Sequence, residues 1–146
     1  MAHHKFSPLK NYEIIEHTAD IGIKVKGVDL KELFRNAAVA MFDISSEKIG
    51  AQAGKEIKIE IKQESGSLEE LFVNWLNELL SLSAAKELIF SGFQINTINK
   101  NTLQAEVTGE DTANYKVNTE IKAATYHQLI IGQDKTGWHA EVIFDV

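Results

Sequence analysis

The sequence predicts an α+β sandwich, with two amphipathic helices packed on a mainly antiparallel sheet, and three features carry that prediction. Two stretches repeat apolar residues at three-and-four spacing behind capping boxes. Between and after them lie runs with the apolar-polar alternation or the β-branched and aromatic content of strands. The order β-β-α-β-α followed by several strands fits helices covering one side of a sheet.

Taken in order, Tyr12 and Ile14, then Ile21, Ile23 and Val25, alternate with polar residues and read as two strands joined across HTAD, His17 to Asp20. DLKELFRNAAVAMFDI follows. Leu30, Leu33, Phe34, Ala37, Ala38, Met41 and Phe42 make one buried helical face, and Asp29 with Glu32 forms the capping box. EIKIEIK, at 56–62, puts Ile57, Ile59 and Ile61 on one face and its charges on the other, as in a strand with one side in water.

A second helix opens at SLEE, where Ser67 and Glu70 form a capping box, and its core stripe continues through Leu71, Phe72, Trp75, Leu76, Leu79 and Leu80. ELIFSGFQI, NTLQAEV, YKVNTEIKAATYHQLIIG and GWHAEVIFDV then read as strands separated by Gly, Asn and Asp clusters, with GQDKTG as a hairpin connection. On the third of these, Glu120 and Lys122 share a strand face, and a structural salt bridge is the simplest expectation.

A length of 146 residues suits one domain, taken as 11–146, and residues 1–10 read as a frayed or tag-like start in which His3 and His4 have no role. No apolar run approaches the roughly 20 residues of a membrane span, and no signal-peptide core is present, so the expected compartment is the cytoplasm. Cysteine is absent, which excludes a disulfide framework, a zinc knuckle and a thiol switch. With a formal charge of −6 and Arg35 as the sole arginine, direct nucleic-acid binding is disfavoured. No phosphate-cradling glycine loop, GxSxG or HExxH motif appears, so little supports an autonomous enzyme.

Candidate chemistry gathers at HTAD and at the last strand. There Trp138, Ala140, Val142 and Phe144 fall on one face, with His139, Glu141, Ile143 and Asp145 on the other. Val146 follows at once, and its terminal carboxylate is ionised at neutral pH. If Asp20 meets these two carboxylates, the cluster is repulsive unless a hard divalent cation neutralises it. Oxygen ligands without thiolate favour calcium, magnesium or manganese, and calcium tolerates irregular oxygen geometry best. The plainer alternative makes Asp20 a turn residue and Asp145 a solvated strand end. His17, by residue type alone, is more often a hydrogen-bonded turn histidine than a metal ligand or base.

The chain resembles the archeases, accessory proteins of RtcB-type RNA ligases in tRNA splicing and RNA repair. The likeness rests on YEIIEHTADIGIKVKG, LKELFRNAAVAMF, LFVNWLNELL, ELIFSGFQI, EIKAATYH and the closing GWHAEVIFDV. It implies an α+β fold with helices packed on sheet. It also implies a divalent metal, most readily calcium, at Asp20, Asp145 and Val146, with His17, Lys122 and His127 supporting the site. The implied role is non-catalytic: promoting GTP-dependent guanylylation of the ligase, and hence multiple turnover, with RNA contacted only through the ligase. A metal-dependent phosphoester hydrolase and a general chaperone or interaction module are the alternatives.

Overall fold

The structure is a computed structural model that describes residues 3–6, 11–16, 20–50 and 54–146. Its element order is β1 (His3–Phe6), β2 (Tyr12–Glu16), β3 (Asp20–Gly27), α1 (Leu30–Ser45), β4 (Ser46–Lys48), β5 (Ile57–Glu64), α2 (Leu68–Lys86), β6 (Leu88–Ile98), β7 (Thr102–Asp111), a short 3-10 turn, β8 (Tyr115–Val117), β9 (Ala123–Ala124), β10 (Ile130–Asp134) and β11 (Gly137–Asp145). Every strand pairing among the described residues is antiparallel. The expected α+β architecture, two helices on antiparallel sheet in one domain, is what the chain adopts.

The sheet is divided. One sheet runs β1-β2-β3-β11-β10, with β9 added beside the far end of β11; a second runs β5-β7-β6; β4 and β8 form a small third. Helix α1 lies against both β3 and β6 and so bridges the two larger sheets, while α2 packs on β6, β5 and β9.

Both helices are capped at their amino ends by the expected residues. The Glu32 N–H donates to Asp29 Oδ1 at 2.9 Å, and the Glu70 N–H to Ser67 Oγ at 3.2 Å. Between the layers, Phe34 meets Phe72 edge-on at 5.1 Å, and the Trp75 indole N–H donates to the Phe34 carbonyl at 2.9 Å, so the largest core side chain leaves no polar atom unpaired. Gly27 lets the end of β3 touch α1: a Cβ there would stand 2.4 Å from the Leu33 nitrogen.

Two features depart from the sequence reading. Residues 115–132 do not form one strand. The Asn118 and Thr119 N–H groups both donate to the Ser45 carbonyl at the end of α1, which draws the chain off the sheet after β8. Glu120 and Lys122 therefore lie in irregular chain, and among the described residues no ion pair joins them. The start of the chain, expected to fray, carries β1 at His3–Phe6, paired along β2. Helix α2 runs to Lys86, just before the segment ELIFSGFQI read as the next strand, and ends on Glu87 in the left-handed conformation, φ 53°, whose N–H donates to the Ser83 carbonyl.

Candidate metal centre

The central ladder of the large sheet joins β3 to β11, and its register settles which side chains share a face. Ile21, Ile23 and Val25 pair with Phe144, Val142 and Ala140 on one face, where Ile23, Val25 and all three β11 partners lie in the core. The opposite face carries Lys26 beside His139, Lys24 beside Glu141, Gly22 beside Ile143, and finally Asp20 beside Asp145. Two residues from distant parts of the sequence thus become a direct cross-strand pair of like charge. Residues paired in this way have Cβ atoms about 5 Å apart, which lets both carboxylates reach one point.

Their surroundings differ. Asp145 is exposed, and Val146 beyond it is 39% exposed. Asp20 is half-buried, and its Oδ1 is shut away from solvent without a hydrogen-bond partner. An orphaned carboxylate oxygen in that position is costly in a finished structure, because its hydration is lost and nothing replaces it. Opposite a second carboxylate the cost rises. A hard cation would satisfy both groups, so the residues present fit a divalent metal held by oxygen atoms alone. Among the described residues no three His, Asp or Glu side chains cluster as a ligand set, so the remaining donors would be main-chain or terminal oxygens or water.

The end of β11 is held from its other side by β9, where Ala123 pairs with Asp145 and Ala124 with Phe144. The Lys122 N–H donates to the Asp145 carbonyl at 2.8 Å, and the Thr125 N–H and Oγ1 both donate to the Ile143 carbonyl, at 3.0 and 2.8 Å. Lys122 thus adjoins the carboxylate pair through its backbone, with its side chain exposed. His127 sits farther off, on the exposed turn after β9, where its N–H donates to Thr125 Oγ1 at 3.3 Å. His17 lies outside the described residues. Of the expected set, then, Asp20, Asp145, Val146 and Lys122 come together, and His127 stands apart from them along the chain.

Sequence reasoning passed over Asn77. From α2 its side-chain amide donates to the Ala124 carbonyl at 3.0 Å and accepts from the Ala124 N–H at 2.8 Å, pairing with β9 as a neighbouring strand would. A signal existed: Asn74 and Asn77 interrupt a Leu-rich helix in which asparagine is a poor helix former. One pair along from the carboxylates, Gly22, Ile15, Leu129, Ile130 and Ile143 line a hollow of about 380 Å³ on the same face.

Fold and site together describe a small α+β protein whose polar centre lies where two strand ends meet, at the sheet end rather than in a deep cleft. The Archease protein family (MTH1598/TM1083) matches residues 12–146, and the chain belongs to that family. It is 39% identical to the protein archease of Methanosarcina barkeri, over 94% of this chain and 97% of that one. It is 35% identical to the protein archease of Pyrococcus abyssi, covering 94% of this chain and all of that one. The solution structure of Methanobacterium thermoautotrophicum protein 1598 is similar at a TM-score of 0.71 with 30% identity, over 93% of this chain and 99% of that one. The crystal structure of an archease, "possible chaperone", from Thermotoga maritima is similar at 0.63 with 25% identity, over 99% of each chain.

Proposed function

We propose that this chain activates an RtcB-type RNA ligase in tRNA splicing and RNA repair, promoting its GTP-dependent guanylylation and so its multiple turnover, without catalysis of its own. Family membership supports the class of role. The observation that carries the site is the Asp20–Asp145 pair, in register and with Asp20 Oδ1 buried and unpartnered. Asp20, Asp145 and Val146 would hold a divalent ion, calcium by preference and magnesium or manganese otherwise. When bound, the ion supplies charge neutralisation and a fixed geometry for oxygen ligands.

The chain's own residues do the rest. Asp145 and Val146 are exposed at the end of an ordered strand, so they can be presented to a partner while β3 and β9 hold the main chain on both sides. Lys122 ties that end through its N–H, His127 stands on the adjoining turn, and His17 lies in the HTAD junction before Asp20. The apolar hollow around Gly22 gives a partner protein a foothold beside the carboxylates. RNA is reached through the ligase, in keeping with the net charge of −6. No helix among the described residues is long and apolar enough to cross a membrane, and the proposed place of action is the cytoplasm.

The deciding experiment is multiple-turnover ligation by the cognate RtcB-type ligase with GTP and manganese, with this protein substoichiometric. Stimulation by wild type, and none by folded Asp145→Ala, is the expected result. Phosphoester turnover by the protein alone would instead support a hydrolase. Suppression of aggregation that survives loss of both aspartates would support a general chaperone.

A further inference from the structure

We infer that Asn77 is a positioning residue for the carboxylate centre, setting the place of Asp145 from helix α2 through strand β9. The inference rests on the metal-site reading above. Strand β9 is two residues long, too short to hold its own register by pairing, and it is the strand beside the Asp145 end of β11. Its two edges are used differently. Toward β11, the flanking Lys122 and Thr125 N–H groups donate to the Asp145 and Ile143 carbonyls. Ala124 directs both of its main-chain groups the other way, and both end on the single amide of Asn77.

Only a side chain with a donor and an acceptor in one plane can make that pair. Aspartate keeps the acceptor, loses the donor and sets a negative charge against the Ala124 carbonyl; alanine leaves two main-chain groups without their partners. Asn77 belongs to the long helix that also supplies the fully buried Trp75 to the core, so the clamp is anchored in an element packed into the core. The core therefore reaches the strand end in three links: α2 to Ala124, β9 to β11, and β11 to Asp145.

Asn36 supplies a matched control. It is a buried helix asparagine that donates through Nδ2 to the Lys26 carbonyl at 2.7 Å, at the opposite end of β3. Wild type, Asn77→Ala, Asn77→Asp and Asn36→Ala would be compared by calorimetric calcium titration and by amide hydrogen exchange at Lys122 in the metal-free protein, at a temperature where circular dichroism shows all four folded. Asn77→Ala is expected to weaken calcium binding about tenfold, the low end for losing a group that orients a ligand, and to reduce Lys122 protection about tenfold. Asn77→Asp falls between it and wild type, and Asn36→Ala leaves both readouts near wild type.

Unchanged Lys122 protection in Asn77→Ala overturns the inference, as does an equal loss in Asn36→Ala, which would mark a general loosening. A wild-type protein that takes up no calcium overturns the metal reading instead. In that case protection at Lys122 still decides whether Asn77 positions the strand end.

Discussion

The two ends of the β3–β11 ladder are built on opposite principles. At the Gly27–Trp138 end, polar groups are matched: Asn36 meets the Lys26 carbonyl, and the Thr136 N–H and hydroxyl both donate to Asp134 in the turn before β11. Halfway along, Lys24 stands opposite Glu141 at 3.7 Å, a pair of opposite sign. At the far end Asp20 faces Asp145, like against like, with one oxygen buried and unanswered. One ladder thus obeys the rule for cross-strand charges and then breaks it within four residues. A local rule broken inside an otherwise consistent sheet marks a place shaped for something other than stability.

If that contrast is right, the carboxylate end should fail in binding and the matched end in stability. The largest effect is expected for Asp145→Ala. Calcium affinity should fall at least about 100-fold, the upper range for losing a group that only supports a ligand, with the circular dichroism spectrum retained. Residues added after Val146 should impair ligase activation in the same way, and full activation by a folded, extended protein would count against a site at the strand end.

At the other end, Gly27→Ala should destabilise the fold by about 2 kcal/mol, because the new Cβ meets helix backbone, which cannot step aside as a flexible side chain can. Urea unfolding measures the loss, and calcium affinity of the folded fraction should hold. A smaller effect of opposite sign is expected for Asp20→Asn without metal. Removing like-charge repulsion should stabilise the protein by about 0.5 kcal/mol, while the rise in Tm expected on adding calcium to wild type should disappear. A metal-free Asp20→Asn protein less stable than wild type would show that the pair is not strained.

The smallest effect concerns Asp134, whose carboxyl is held below the ordinary aspartate value of 3.8, first by the Thr136 hydroxyl and then by the Thr136 N–H. Because the folded value is depressed, the associated stability is present above pH 3.8 and is lost as pH falls through the lowered value. Thr136→Val should bring the Asp134 titration, followed by NMR, back toward the ordinary value and leave the carboxylate end untouched.

Much of this was legible without coordinates. Asp29 with Glu32 and Ser67 with Glu70 located both helix starts, because a cap is a contact between residues three apart. The alternations in β3, β5 and β11 told core face from open face for the same local reason. The segment 115–132 was misread because its breaks come from Ser45 and Asn77, partners about 40 or more residues away that no window on the segment contains.

The same division holds for the function. By itself the sequence determined which residues could carry chemistry: Asp20 in HTAD, Asp145 and Val146 at the close, and a composition without thiols and with a single arginine. It also determined the helices and the strand faces, since these depend on periodicity along the chain. Tertiary structure alone decided that Asp20 and Asp145 stand opposite each other, that one carboxylate oxygen is cut off from water, and that Asn77 grips the strand beside them. The first two are set by the register between strands more than a hundred residues apart, which the packing of the whole sheet on its helices fixes, and the third by a helix side chain meeting a strand 47 residues further along the chain.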